Sequence, residues 1–382
     1  MVCIEGLPSG TSSKGAPHGV QDVPYSLEIA GSNPGYVTAD PDREFLGGNL
    51  AGARFGGRVF QPSFPESTGG LRAPGWNPRR HYSLLDSETG SQYRIAPTEP
   101  AAFVPDSRLL LDGGGFDVQL WDSNEPVPKV ELLRGVAGAH GLICLLSDKI
   151  DKEVLDAAGT SLKVISTFSV GFDHLAIDEI KQRGIRVGYT PEVLTDATAE
   201  LTVALLLATA RRLPEAVEEV KNGGWSTWKP LWLCGYGLSG STVGVVGLGR
   251  IGLSIAKRLK PFGVTRFLYT GRQPRPESAA EIQGEFVPLD KLAEESDFVV
   301  VSCALTPETQ GMCNKDFFAK MKKTAVYVNS SRGAVVNQDD LYNALTSGQI
   351  AAAGLDVTVP EPLPTSHPLL TLKNCGKNER AH

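Results

Sequence analysis

No apolar stretch in this 382-residue chain approaches the roughly 18 residues of a membrane-spanning helix. The longest, residues 201–208, has the length of a buried helical segment. Cysteines are few and scattered: Cys3, Cys144, Cys234, Cys303, Cys313 and Cys375 form no C-x-x-C pair. That argues against a zinc site or a disulfide framework and for free thiols in a reducing compartment. Basic charge is not in surplus, with 37 Lys+Arg against 43 Asp+Glu and a net charge of −6, which disfavours a nucleic-acid surface. The N-terminus lacks the basic and apolar regions of a signal peptide, and the C-terminus is no peroxisomal tripeptide. The cytosol is the expected compartment, with no metal, membrane or nucleic acid expected.

Residues 1–105 lack hydrophobic periodicity, and about a third of them are Gly, Pro or Ser. Such a stretch buries too little apolar surface to offset chain entropy, so it is expected to be a disordered extension. Order is expected from about residue 116. Strand-like runs at 117–121, 141–146, 162–167 and 185–188 alternate with helical patterns at 127–134, 152–158 and 174–182. That alternation predicts a parallel α/β domain over 106–213. An apolar helix over 198–211 and a second over 214–222 lead into another α/β unit over 214–375. Its later strands are expected at 298–303, 325–329 and 350–356, with helices at 289–294, 316–321 and 338–346.

That second unit opens with the strongest motif of the chain. A β-type run over 242–246 feeds into Gly247-Leu248-Gly249-Arg250-Ile251-Gly252, then an amphipathic helix over 251–262 and a second strand over 264–270. Strand, glycine turn, helix and strand form the context of a dinucleotide fingerprint. Gly247 permits the tight turn, Gly249 lets a pyrophosphate approach the backbone, and Gly252 lets the helix pack on the strand. The helix N-terminus offers N–H groups and a positive dipole end to phosphate, starting at Arg250 and Ile251. After the second strand an NAD site ordinarily carries an acid for the ribose 2′-hydroxyl. Here the run is Arg272-Gln273-Pro274-Arg275, which suits a 2′-phosphate, so NADP(H) is expected over NAD(H).

Five motifs in one order, Ser169-Val170-Gly171-Phe172-Asp173, Gly247 to Gly252, Leu305-Thr306-Pro307-Glu308-Thr309, Asn329-Ser330-Ser331-Arg332-Gly333, and Gly354-Leu355-Asp356-Val357 with Pro360-Glu361-Pro362, resemble the D-2-hydroxyacid dehydrogenase family. The runs 271–276 and 224–233 are most similar to its glyoxylate/hydroxypyruvate reductase branch. The resemblance spans about residues 116–375 and implies two Rossmann-like domains, a flavodoxin-like substrate domain and a dinucleotide-binding domain, in a homodimer. It implies NADP(H)-dependent reduction of a small 2-keto acid to the D-2-hydroxy acid. Arg332 would bind the carboxylate, helped by the N–H groups of Val170 and Gly171. Asp356 would accept from the nicotinamide carboxamide, and Ala304, Leu305 and Ser330 would line the cofactor. Blander readings stand beside these: a surface ion pair of Arg332 with Asp339 or Asp340, a plain turn at Val170-Gly171, a cap at Asp356 and a solvated Glu361.

In the family Glu361 pairs with a histidine that donates the proton, expected near position 380, where this chain has Arg380. Residues 376–382 read as a tail outside the family pattern. His367 lies in a Pro-rich segment and reads as structural, His382 is the last residue, and His174 is expected to start a helix. At the other end the family's first strand and helix are expected to be missing, with the run 108–111 at most a strand surrogate. Impaired turnover is therefore expected. The alternative is a catalytically deficient NADP-binding regulatory or dominant-interfering subunit.

Overall fold

Two compact units divide between Glu192 and Val193. The computed structural model describes residues 117–377 except 122 and 124, together with strands β1 (Arg54–Phe55), β2 (Arg58–Val59) and β3 (Arg94–Pro97).

In the first unit β3 is followed by β4 (Asp117–Val118), α1 (Lys129–Val136), β5 (Gly141–Cys144), α2 (Lys152–Ala158), β6 (Val164–Thr167), α3 (Ile177–Gln182) and β7 (Arg186–Gly188). All these strands pair in parallel, in the order β4-β3-β5-β6-β7. Numbered from β3, this is 2-1-3-4-5, the flavodoxin-like winding. Its core gathers Leu142 and Ile165 from the sheet with Val136, Val154, Leu155 and Ile180 from the helices. Two expectations need amendment. Disorder over all of residues 1–105 does not hold for β3, which pairs with both β4 and β5. The expected stand-in strand at 108–111 lies outside the described residues. His174 does not start α3; it lies three residues ahead of it, where its carbonyl accepts the Ile150 N–H at 3.0 Å.

The second unit opens with α4 (Thr195–Ala210) and α5 (Leu213–Lys221). Then come β8 (Thr242–Val246), α6 (Arg250–Leu259), β9 (Arg266–Thr270), α7 (Pro276–Ile282), β10 (Gly284–Phe286), α8 (Leu289–Glu295), β11 (Phe298–Val301), α9 (Lys315–Lys320), β12 (Val326–Asn329), α10 (Gln338–Thr346), β13 (Ala352–Leu355) and β14 (Cys375–Lys377). The seven strands are parallel, in the order β10-β9-β8-β11-β12-β13-β14. Strands β8, β11, β12 and β13 are almost wholly buried, as expected when helices cover both faces. Alternation divides their side chains: Val243, Val245, Phe298, Val300, Val326 and Val328 face one core, while Val246, Val299, Val301 and Tyr327 face the other. Each such fully buried side chain contributes about 1.5–3 kcal/mol relative to exposure.

Helix α4 packs on this sheet and falls in the second unit, whereas the sequence places it in a first domain ending at residue 213. From residue 201 to 210 it carries no charge, and Ala199, Leu205, Leu206 and Ala210 pack with Val243, Ile255 and Val326. Arg258 of α6 reaches back to Asp196 at 2.9 Å and Glu200 at 3.2 Å on α4. Residues 376 and 377, expected to fall outside the family pattern, continue β14: Gly376 pairs with Gly354 and Lys377 with Leu355. Residues 378–382, including Arg380 and His382, lie outside the described residues.

Candidate cofactor and substrate sites

The carboxyl ends of the central strands fall in one row. Val301 is in register with both Val246 and Asn329, and Asn329 with Leu355. One residue beyond, the ladder persists: Gly247 N–H donates to the Thr270 carbonyl at 2.9 Å, Ser302 to Val246 at 2.8 Å and Asp356 to Asn329 at 3.0 Å. Gly247, Arg272, Ala304, Leu305, Ser330, Arg332 and Asp356 are thereby brought to one sheet edge. β8 lies between β9 and β11, so that edge holds the switch point where open α/β sheets bind ligands.

The three glycines of the turn differ in what forbids a side chain. Gly247 has φ +96°, and a Cβ there would lie 2.8 Å from the Cys303 Cα. At Gly252 a Cβ would strike the Gly247 carbonyl oxygen, so α6 sits directly over the turn. At Gly249 a Cβ would meet nothing within 4 Å, and its φ of −82° is ordinary. The protein itself does not exclude a side chain at Gly249; an anion drawn up to the backbone would. No side chain caps α6 and its first turn carries no acid, so no carboxylate of the helix itself offsets the positive end of its dipole. A nicotinamide dinucleotide therefore fits the residues present.

Arg272, Gln273, Pro274 and Arg275 are exposed beyond β9. The buried Tyr269 hydroxyl fixes this loop by accepting the Arg275 N–H at 3.0 Å. On the neighbouring turn the Glu308 carboxyl is held below its ordinary range, chiefly by a hydrogen bond from Thr306 and in part by the Arg272 charge. That turn is clasped by Thr309, whose hydroxyl donates to the Ala304 carbonyl at 2.8 Å and accepts the Thr306 N–H at 2.8 Å.

Arg332 owes its placement to Asn329, a fully buried side chain at the end of β12. Its amide oxygen accepts the Ser331 N–H at 3.0 Å and hydroxyl at 2.9 Å, and its amide nitrogen donates to the Arg332 carbonyl at 3.0 Å. Arg332 is then extended and half-buried, with Nη1 donating to the Ser331 carbonyl at 2.9 Å. Gly333 follows because a Cβ there would collide with the Thr358 carbonyl. Ser330 is buried, and its hydroxyl shares a 2.7 Å hydrogen bond with Thr202 of α4. Asp356 is buried directly after β13. Glu361 is exposed between Pro360 and Pro362. The segment leading to it is held where the Val359 N–H donates to Gln338 Oε1 at 2.7 Å. His367 caps the short 3₁₀ turn Pro368–Thr371, its Nδ1 accepting the Leu369 N–H at 3.2 Å.

In the first unit Val170 and Gly171 follow β6 and are partly exposed. Sequence reasoning assigned no role to Asn329, Thr202, Thr309 or Thr167. For Asn329 the signal was present, since an Asn closing an apolar strand before Ser-Ser-Arg-Gly favours a local side-chain turn.

These features define a nicotinamide dinucleotide-binding α/β protein, and the comparisons give its family. A family model described as D-isomer specific 2-hydroxyacid dehydrogenase, NAD binding domain, matches residues 203–377. The chain is 76% identical over 266 residues to the glyoxylate reductase/hydroxypyruvate reductase of Homo sapiens, covering 70% of this chain and 81% of that protein. It is 43% identical over 275 residues to the glyoxylate reductase of Thermococcus kodakarensis, covering 71% and 82%. Among solved structures it resembles a protein from Thermus thermophilus, with TM-score 0.67, 43% identity and coverage of 75% and 88%. It also resembles the D-lactate dehydrogenase of Aquifex aeolicus complexed with NAD and lactic acid, with TM-score 0.66, 28% identity and coverage of 75% and 87%. The chain belongs to the D-isomer specific 2-hydroxyacid dehydrogenase family. No helix among the described residues is long and apolar enough to cross a membrane.

Proposed function

We propose that the chain binds NADP(H) and acts on glyoxylate or hydroxypyruvate, reducing the 2-keto acid to the D-2-hydroxy acid. The observation that carries the reading is the uncapped N-terminus of α6 beside Gly249, with Arg332 on the same sheet edge. The bound dihydronicotinamide supplies the hydride to C2. The N–H groups at Arg250, Ile251 and Gly252 receive the pyrophosphate at the dipole's positive end. Arg272 pairs with the 2′-phosphate, and Gln273, Pro274 and Arg275 flank it. Ala304, Leu305 and Ser330 line the dinucleotide, and Asp356 accepts from its carboxamide. Arg332 offers the substrate carboxylate a planar fork of donors. The N–H groups of Val170 and Gly171 are assigned to the carboxylate as well.

Turnover of this polypeptide is proposed to be low. The one histidine among the described residues beyond Glu361 is His367, and its Nδ1 is already accepting the Leu369 N–H. Lack of a general acid costs about 10²- to 10⁴-fold in rate. The alternative reading, a cofactor-binding regulatory subunit, draws on the same feature. Assembly as a homodimer is proposed through α5 and the loop after it, where Leu213, Val217, Val220, Trp225, Trp228 and Leu231 are all at least half exposed.

Titration calorimetry of NADPH and NADH against the chain and its Arg272→Ala variant tests the cofactor assignment. NADPH is expected to bind the parent more tightly than NADH, and Arg272→Ala to weaken NADPH by about tenfold or more while sparing NADH. Equal affinities in the parent would overturn the 2′-phosphate assignment. Steady-state reduction of hydroxypyruvate with NADPH tests the rest, and ordinary turnover would refute the low-activity proposal.

A further inference from the structure

The loop carrying Val170 and Gly171 is held by a chain of buried hydroxyls whose direction the geometry determines. Ser169 Oγ lies 2.6 Å from the Gly171 carbonyl oxygen, Thr167 Oγ1 lies 2.8 Å from Ser169 Oγ, and His174 Nε2 lies 2.9 Å from Thr167 Oγ1. Thr167 and Ser169 are 1% and 2% exposed, so water does not compete for these groups. A carbonyl only accepts, and a hydroxyl has one proton to give. The Ser169 proton therefore goes to the Gly171 carbonyl. Ser169 must then accept from Thr167, whose only proton is spent in that contact. Thr167 must accept in turn, which requires a proton on His174 Nε2. Any other arrangement places two lone pairs against each other at one of the three contacts.

This chain ends on the backbone that the proposed function uses. The peptide plane carrying the Val170 N–H is pinned by the Ser169 carbonyl, which accepts the Thr190 N–H at 3.0 Å. The plane after Gly171 is pinned by Ser169 Oγ. The plane between them, which carries the Gly171 N–H, is thus held from both sides. Among the described residues neither the Val170 nor the Gly171 N–H donates a hydrogen bond, and both residues are partly exposed. Two adjacent unspent donors with fixed directions form a ready anion cradle.

We propose that His174, Thr167 and Ser169 are positioning residues, a one-way relay of hydrogen bonds that fixes the Val170–Gly171 N–H pair for the carboxylate of a 2-keto acid. The proposal rests on the reading of that pair as carboxylate ligands. It places His174 as an obligate Nε2–H donor rather than as an acid or base.

The test uses the full chain loaded with NADPH and oxalate, a two-carbon carboxylate that cannot be reduced. Imidazole ¹⁵N NMR of the neutral ring is expected to show His174 Nε2 protonated; a pyridine-type Nε2 would overturn the relay. In the parent, oxalate is expected to shift the Gly171 amide resonance. No shift there would refute the carboxylate reading itself and take the positioning role with it. Given that shift, Ser169→Ala is expected to weaken oxalate by about tenfold. Thr167→Val and His174→Leu should weaken it in the same direction, with NADPH affinity unchanged in all three. His174→Gln retains an N–H at the Nε2 position and is expected to bind oxalate within about twofold of the parent. If Ser169→Ala and Thr167→Val both fold and bind oxalate as the parent does, the positioning role is refuted while the carboxylate reading survives.

Discussion

Replacing each glycine of the turn by alanine separates folding from cofactor binding, because a methyl group meets something different at each. At Gly247 alanine would adopt φ +96° and press on the Cys303 backbone, whose Cα and N would lie 2.8 and 2.9 Å from the new carbon. Left-handed strain alone costs about 1–2 kcal/mol, and the contact adds to it. At Gly252 the methyl meets the Gly247 carbonyl, and α6 must lift from the sheet. Gly249→Ala meets nothing within 4 Å, so the folded state is untouched. The unfolded chain loses freedom, and the apo variant is expected to be as stable as the parent or up to about 1 kcal/mol more stable. Its methyl nevertheless occupies the approach to the α6 N-terminus. At NADPH one hundred times the parent Kd, the parent gains about 2.7 kcal/mol, or roughly 5–10 °C in melting temperature. A tenfold loss of affinity cuts that gain to about 1.4 kcal/mol. Thermal melting with and without NADPH reads both effects. A Gly249→Ala variant with an undiminished ligand shift, or with a much lower apo melting temperature, would refute the reasoning.

The same logic reaches other positions. Asn329→Ala strands the Ser331 N–H and the Arg332 carbonyl, so it should cost about 1–3 kcal/mol by denaturant unfolding. It should also weaken oxalate more than NADPH; the reverse order would refute the link between Asn329 and Arg332. Glu285 is hydrogen-bonded first by Arg266 and then by Lys291, which hold its carboxyl down to about 2. A depressed carboxylate stabilises the fold above its unfolded value near 4.5, and that contribution is lost as pH falls from there through about 2. The melting-temperature gap between the parent and Glu285→Gln should therefore shrink on acidification from about pH 7 to about pH 3. A gap that stays constant or widens would refute the assignment.

What the sequence made legible follows the reach of each interaction. The turn Gly247 to Gly252 is specified within a few residues, and its strand and helix could be read directly. The start of α6 was displaced by one residue, and its last turn, Lys260–Phe262, is a 3₁₀ helix. β3 could not be read, because nothing local supports it; its partners are Asp117 and Val118 on one side and the strand from Gly141 on the other. For α4 the apolar pattern announced burial but not its partner, which is settled by contacts such as Arg258 with Asp196, 62 residues apart in sequence. The hydroxyl relay was invisible for another reason. Ser169 and Thr167 are ordinary strand-end residues in sequence, and their meaning lies in proton directions that only assembled geometry fixes.

Within the family chemistry, the two halves of the proposed reaction make unequal demands on this chain. Cofactor binding as proposed would draw on one sheet edge, where Gly247, Arg272, Leu305, Ser330 and Asp356 follow strands aligned residue by residue. A small error at one strand end is averaged over several contacts there, so affinity should degrade gradually as these residues are replaced. Proton donation allows no such averaging, since it depends on one group at hydrogen-bond distance from one oxygen. A series of single substitutions along the sheet edge should therefore lower NADPH affinity in modest steps. Any gain of turnover should instead come abruptly, from one correctly placed imidazole beside Glu361.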